Sequence, residues 1–226
     1  MHNSHSLVLT PISKNKIWLN GQAYTKKEKH GIEVMIANNR SNSKYVIFDV
    51  SIKNKSKKNI FINPTSSSLK YVGNEEGLSY NKYGPTDPEQ ILHLIESRKT
   101  FLQRSHSNYQ TGSMAVSFIG LIGTVAAKNN NQRQKFLNEV NQMHADRNQQ
   151  EMLHNSRMKN LNSQIEYFKR QVLRKNTIFP QKQITGKILF PYNGDTGSKA
   201  IVKILINDKY FTFEYSIIDF TKQNNL

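Results

Sequence analysis

The sequence predicts an α+β protein in which an antiparallel β-sandwich is interrupted by a long α-helical insertion. Residues 1–83 and 176–226 contain short runs of alternating apolar and polar residues, the pattern of strands with one buried face. Residues 84–175 lack this alternation and contain no proline after Pro88 and no glycine after Gly123. Because both ends of the insertion return to the same sandwich, we expect a helical hairpin or a small bundle.

The strands are predicted from individual stretches on both sides of the insertion. In "YVIFDVSIK", Val46, Phe48, Val50 and Ile52 fall on one face. The stretch "AIVKILINDKYFTFEYSI" reads as a hairpin that turns at the Asn207–Asp208 pair. Many short strands without intervening helices are typical of an antiparallel sandwich.

The insertion is predicted to contain two helices and a segment between them. The first helix begins either with a Thr86–Glu89 capping box or with Asp87 as the cap and Pro88 at the first helical position. We expect it to end in the polar stretch "SHSNYQTG". After "KNNNQRQ", which is predicted to be a loop or a fully solvated turn, a long helix runs to about Arg174, with "HADRNQQE" as either a solvated stretch of helix or a break.

Two helical faces in the insertion are predicted to pack against other helices. Ser113, Ser117, Gly120, Thr124 and Ala127 recur at alternating spacings of four and three, so they form a face of small residues that lets another helix approach closely. A second face, in the last helix, has the apolar spacing of a coiled-coil seam. The residues predicted to pack or to contact a partner are Ser117, Phe118, Gly120, Leu121, Ile122, Thr124, Leu161, Ile165 and Phe168.

The uncharged stretch from Met114 to Ala127 is too short to span a bilayer. At about 1.5 Å per residue it would extend about 21 Å, against a hydrocarbon core of about 30 Å. We therefore expect it to pack against a helix of the same chain or of a second copy. Insertion of this Gly-rich helix into one face of a membrane is the alternative.

The β segments resemble a known group of proteins. "KHGIEVMIANNRSNSKYVIFDVSIKNKSKKNIFINP" and "RKNTIFPQKQITGKILFP" are similar to segments of the immunoglobulin-like domains of uncharacterised bacterial envelope proteins. Asn54 and Ser56 match turn positions and Gly186 matches a strand position, whereas Gln181 and Lys182 replace the usual glycine and acidic residue. The resemblance implies an immunoglobulin-like sandwich and a periplasmic or envelope location, although no signal peptide is visible; it implies no catalytic residue.

The net charge of +16 is compatible with nucleic acid, anionic lipid or an acidic partner. Part of it is predicted to form a basic rim around two turns, "YTKKEKH" and "IKNKSKK", near one end of the sandwich. Lysine far outnumbers arginine, and no recognition helix or aromatic pair accompanies the clusters, so nucleic acid is disfavoured. The rim consists of Lys26, Lys27, Lys29, Lys55, Lys57 and Lys58.

The sequence predicts no catalytic, cofactor or metal site. It has no cysteine, no pair of histidines at the spacing of a helical metal site, and no nucleophile-elbow or phosphate-loop motif. No small-molecule substrate is evident. The leading hypothesis is a non-catalytic interaction or structural module of the cell envelope, whose helical hairpin contacts a protein partner or itself. Peripheral membrane association, through the Gly-rich helix and the Lys-rich loops, and nucleic-acid binding through basic loops are the alternatives.

Overall fold

The computed structural model describes residues 7–39, 41–42, 44–73, 79–126, 130–192 and 197–219. Within these residues the chain forms two antiparallel sheets and two long helices, so the predicted α+β class is confirmed. It divides into two compact units, which we call the β unit (residues 1–91 and 168–226) and the hairpin unit (residues 92–167). The division predicted at 83/84 and 175/176 stays a prediction.

The β unit contains two sheets, of seven and of five strands among the described residues. The larger has the strand order β1-β12-β11-β6-β9, with β7 paired to β11 and β8 paired to β7; the smaller has the order β10-β5-β4-β3-β2. The strands are β1 (Leu7–Pro11), β2 (Lys16–Leu19), β3 (Gln22–Lys29), β4 (Ile32–Asn38), β5 (Tyr45–Asn54), β6 (Ile60–Ile62), β7 (Ser68–Val72), β8 (Ser79–Tyr83), β9 (Asn176–Ile178), β10 (Gln183–Pro191), β11 (Lys199–Ile206) and β12 (Lys209–Asp219).

Inward-facing side chains of both sheets share one core. On β5 every second residue is buried, and Phe48 lies 5.3 Å, centroid to centroid, from Tyr215 of the other sheet. Phe190 meets Phe48 edge to face at 5.9 Å. Burial of each such side chain contributes about 1.5–3 kcal/mol, so the apolar alternation seen in the sequence stabilises the packing of the two sheets.

Two-residue turns fix three of the hairpins. Asn20–Gly21, His30–Gly31 and Asn207–Asp208 each have positive φ at both positions, the conformation whose twist matches that of paired strands. The predicted turn at Asn207–Asp208 is therefore present. The predicted turn in "YTKKEKH" is wrong over most of its length: Tyr24 to Lys29 belong to β3, because this polar segment pairs with β2 on one side and β4 on the other.

Two helices follow β8: α1 (Pro88–Ala126) and α2 (Asn130–Arg170). Asp87 caps α1, since its carboxylate accepts a hydrogen bond of 2.9 Å from the Glu89 amide, and Pro88 takes the first helical position. This is the second of the two predicted helix starts.

The helices are longer than the sequence suggested. The predicted end of the first helix in "SHSNYQTG" is wrong, because α1 continues through these residues to Ala126. The predicted loop "KNNNQRQ" is helical from Asn130 onward, and α2 passes through "HADRNQQE" without a break. These polar residues have modest helix propensity but lie inside long helices, because the surrounding structure often outweighs the intrinsic propensity of single residues.

Candidate functional site

The predicted seam on α2 is a buried face. Leu161 and Ile165 of the hairpin unit are 5% and 8% exposed, and Phe168 of the β unit is 9% exposed. On α1, Leu92 and Ile95 are similarly buried, at 5% and 8%. Their role in binding a partner stays a prediction.

The two helices run side by side within the hairpin unit. Arg98 and Leu102 of α1 and Arg157, Leu161 and Gln164 of α2 line one cleft of about 490 Å³. The cleft opens onto polar and cationic side chains.

Large apolar side chains also point to solvent from the hairpin unit. Leu94 and Phe101 on α1 are 62% and 67% exposed, and Met152 on α2 is 71% exposed. Leu94 and Phe101 are seven residues apart, so they lie two turns from each other on one side of α1. These residues were not among the predicted contact residues. The spacing of apolar residues along a helix does not show which of them the rest of the chain covers.

Two histidines stack inside the hairpin unit. The rings of His106 and His154 lie 3.7 Å apart with an interplanar angle of 15°, and the buried Nε2 of His106 has no hydrogen-bond partner among the residues that the structure describes. Burial lowers the pKa of the His154 imidazole, and the nearby His106 and Arg157 lower it further. Protonation of His154 is therefore disfavoured in the folded chain.

Acidification should destabilise the hairpin unit through this stack. A histidine with a lowered pKa stabilises the fold fully above its ordinary pKa of about 6.5, and this stabilisation is lost as the pH falls through the lowered value. We expect lower stability at pH 5 than at pH 7.5, measured by helix circular dichroism during thermal unfolding. His154→Phe should remove this difference, because it removes the group whose pKa is lowered, whereas His93→Gln, at an exposed position of α1, should not. An equal effect of the two variants would contradict the assignment.

The predicted face of small residues lies on α1, whose backbone is helical through Ala126. The side chains of Ser117, Phe118, Gly120, Leu121, Ile122 and Thr124 lie outside the described residues, as does the whole of Ala127. In the part of the chain that the structure describes, neither helix holds a segment of the length and apolarity that crossing a bilayer requires.

The predicted basic rim is partly neutralised by carboxylates. Glu28 and Glu33 face each other across β3 and β4, and Lys55 bridges them, with Nζ at 2.7 Å and 2.6 Å from their carboxylate oxygens. Lys26 also lies 3.6 Å from Glu33. The hydrogen bond from Lys55 lowers the pKa of the Glu33 carboxyl. The two lysine-rich segments thus meet at Glu33, but the charges of Lys26 and Lys55 are paired with carboxylates of the same chain.

The other rim lysines differ in their surroundings. Lys27 follows Lys26 on a strand, so it points to the opposite face, where its Nζ lies 5.6 Å from the ring centre of Phe213. Lys29, Lys57 and Lys58 are exposed and form no ion pair with any residue that the structure describes. The rim is therefore a weaker cationic surface than its six lysines suggest.

A polar network that the sequence did not reveal lies on the outer face of the smaller sheet. Asp49 on β5 accepts hydrogen bonds from Gln22 at 3.0 Å and Asn39 at 2.6 Å, and pairs with Lys187 on β10 at 2.5 Å. Burial raises the pKa of the adjacent Tyr24 hydroxyl, and the Asp49 charge raises it further. Because the carboxylate is occupied by three donors, the network ties β3, β5 and β10 together.

Lysines from three strands form a second cluster that the sequence did not reveal. Lys70 on β7, Lys82 on β8 and Lys203 on β11 line one cleft on the larger sheet. They are far apart in the sequence, and only the strand register brings them together.

Comparisons of the chain with protein-family models, with characterised proteins and with solved structures return no match. Among the described residues, no group of three or more histidine, aspartate or glutamate side chains is arranged to hold a metal ion.

Proposed function

We propose that the chain is a non-catalytic interaction module in which the helical hairpin binds a second copy of the chain. The observation that carries this proposal is the exposure of Leu94, Phe101 and Met152, each more than 60% accessible, in one unit. Single exposed apolar residues are ordinary on protein surfaces, but Leu94 and Phe101 lie on the same side of one helix, two turns apart, with Ser97 and Arg98 between them; we call this pair the apolar stripe. An apolar stripe of this kind is suited to covering by another helix.

The Gly-rich end of α1 supports the same function. Because α1 is helical through Ala126, the spacing that predicts the small-residue face is not interrupted between Ser113 and Thr124. Gly120 and Gly123 each cost about 1 kcal/mol relative to alanine within a helix. Close packing of a second helix offsets this cost, and the hairpin of a second copy would offer the same face.

The proposed module has an immunoglobulin-like sandwich and works in the cell envelope or the periplasm. Two antiparallel sheets with a common core are compatible with that sandwich. The envelope location is supported by the resemblance of residues 30–83 and 175–217 to the domains of envelope proteins. The immunoglobulin-like sandwich and the envelope location are both parts of this proposal.

Sedimentation velocity over a concentration series tests the self-association. We expect the wild-type protein to sediment at a mass above the 26.1 kDa of one chain. The double variant Leu94→Ser, Phe101→Ser should sediment as a monomer, because the stripe is removed without altering a buried residue. The matched control is Trp18→Ser, which removes a side chain of similar exposure, 68%, from β2 of the β unit and should leave the mass unchanged.

A second variant addresses the small-residue face. Gly120→Leu should also shift the protein toward the monomer, because leucine prevents the close approach of a second helix. A wild-type protein that is monomeric at every concentration would overturn the proposal. So would a Trp18→Ser variant that dissociates as readily as the hairpin variants.

A further inference from the structure

The outer face of the larger sheet contains a cleft with three lysines. The cleft has a volume of about 320 Å³ and is lined by Ser68, Lys70, Lys82, Ile201, Lys203 and Tyr210. This volume lies at the lower end of the range of about 300–1,000 Å³ found for small-molecule pockets. All six residues belong to the β unit.

The strand register places like charges directly against each other. Lys70 on β7 is the antiparallel partner of Lys82 on β8, and on its other side it pairs with Ile201 of β11. Lys203 is two residues beyond Ile201 and therefore lies diagonally across from Lys70. Like charges at directly opposed positions of two strands destabilise the pairing. The sheet accordingly carries an unfavourable arrangement that a bound anion would relieve.

No carboxylate neutralises this cluster among the residues that the structure describes. Lys70, Lys82 and Lys203 take part in no ion pair there, whereas Lys55 on the basic rim has two carboxylates within 3 Å. Glu214 on β12 is paired with Ile201 on β11 and lies diagonally across from Lys203, but it forms no ion pair with the lysines. Among the described residues, Lys70, Lys82 and Lys203 therefore have no carboxylate partner, as is also true of Lys29, Lys57 and Lys58 on the basic rim.

The remaining lining gives the cleft an apolar side. Tyr210 is 54% exposed, and Ile201 lies between Lys70 and Glu214 in the strand register. An aromatic ring, an aliphatic side chain and the lysine stems together provide surface for an organic group. Lysine ammonium groups bind phosphoryl oxygens as compact charges with three donors each.

We propose that this cleft is a binding site for a phosphoryl group carried by a small organic molecule or by a lipid headgroup. Lys70, Lys82 and Lys203 bind the phosphoryl oxygens, and Tyr210 and Ile201 contact the organic part. The site is independent of the hairpin and of its contacts with a second copy.

Isothermal titration calorimetry with pyrophosphate, in a low-salt buffer without phosphate, tests the soluble form of the ligand. We expect saturable binding to the wild-type protein, and at least about tenfold weaker binding to the variant Lys70→Gln, Lys203→Gln, because two charge-assisted contacts are lost. The matched control is Lys57→Gln, Lys58→Gln, which removes the same charge from the basic rim and should bind as the wild type does.

Vesicle co-sedimentation tests the lipid form. Vesicles of phosphatidylcholine with and without phosphatidic acid are compared, with the same two variants. Binding of either probe that depends on Lys70 and Lys203 supports the proposal, and the probe that binds tells which source the site prefers. The proposal is overturned by the absence of binding to both probes, by equal loss in the control variant, or by binding to a DNA oligonucleotide alone.

The melting temperature gives a second test of the site. Lys82→Gln should leave the melting temperature equal to or above that of the wild type, because it removes the charge opposite Lys70. Pyrophosphate should raise the melting temperature of the wild type more than sodium chloride does at equal ionic strength. Equal shifts from the two salts would count against a specific site.

Discussion

Replacing Asn54 by alanine should lower the free energy of unfolding by about 3 kcal/mol. Asn54 is fully buried at the end of β5, where its side-chain amide donates to the carbonyl of Lys58 at 2.7 Å and to that of Ile178 at 2.8 Å. Its side-chain oxygen accepts hydrogen bonds from the amide and the hydroxyl of Ser56, at 3.0 Å and 2.7 Å. Alanine would remove these hydrogen bonds. The Ser56 hydroxyl and the Lys58 carbonyl keep their mutual bond of 3.0 Å, but each buried group left unpaired costs about 1–3 kcal/mol.

The loss should reach beyond the loop itself, because the Asn54 side chain donates to the distant carbonyl of Ile178. The backbone of Asn54 makes two further bonds that alanine would keep: its N–H donates to the carbonyl of Lys182 at 2.9 Å, and its carbonyl accepts from the amide of Gln181 at 2.7 Å. The loop after β5 is thereby attached to the segment between β9 and β10. Asn54→Asp should be nearly as destabilising as alanine, since a carboxylate cannot donate to the two carbonyls.

Urea denaturation of the wild type, Asn54→Ala and Asn54→Asp measures these differences. The matched control is Asn63→Ala, which removes a side chain whose partners, the amide and hydroxyl of Thr65, are local. We expect the control to lose about 1 kcal/mol, as typical for a cap residue. Equal losses at the two asparagines would show that the contact with Ile178 contributes little.

Asn54 shows which features of a buried polar residue can be predicted from the sequence and which cannot. The alternation on β5 continues to Asn54 and places it on the buried face, and its match to a turn position marked it as structural. Its bond to Ile178, 124 residues away, could not be predicted, because no local pattern encodes which distant carbonyl an amide will meet. Local rules therefore identified the residue, and only the fold supplied its partner.

Strands without an apolar alternation were the harder elements to predict. The segment from Tyr24 to Lys29 has polar residues on both faces, so an alternation of apolar residues cannot identify it as a strand. It is a strand because it pairs with β2 and with β4. The lysine cluster of the larger sheet was hidden for a related reason. Each of its members is an ordinary exposed strand residue, and the cluster exists only through the register of β7, β8 and β11.

The buried helical faces were easier to predict than the exposed ones. The spacing of Leu161, Ile165 and Phe168 indicated an apolar face, and these side chains are buried in the structure. The exposure of Leu94 and Phe101 has no such signal, because Leu94 stands in the sequence beside Leu92 and Ile95, which are equally apolar and are buried. Which apolar residues remain uncovered depends on the packing partner and not on periodicity.

Replacing Gly186 by valine should lower the free energy of unfolding by about 3 kcal/mol, and by alanine about half as much. A β-carbon at position 186 would lie 2.9 Å from both the Cα and the amide nitrogen of Leu173. These are backbone atoms, which cannot move aside as a flexible side chain can. At Gly186 the backbone of Leu173 therefore lies too close to β10 for a side chain to fit without displacement.

That approach anchors the chain where it leaves α2. The amide of Leu173 donates to the carbonyl of Lys187 at 2.8 Å, and the amide of Lys187 donates to the carbonyl of Gln171 at 2.7 Å. Residues 171–173 thus pair with β10 at the edge of the smaller sheet, and the side chain of Leu173 enters the core. A larger residue at 186 separates the two backbones, so both hydrogen bonds and the burial of Leu173 weaken together.

Thermal and urea unfolding of Gly186→Ala and Gly186→Val measure the effect. Gly84→Ala is the matched control, because a β-carbon there has no atom within 4 Å, and we expect its stability to change by less than about 0.5 kcal/mol. Leu173→Ala keeps the Cα, amide nitrogen and Cβ atoms that crowd position 186. Adding Leu173→Ala to Gly186→Ala should therefore not restore stability. Recovery of stability in this double variant would show that the leucine side chain, and not the backbone, requires glycine at position 186.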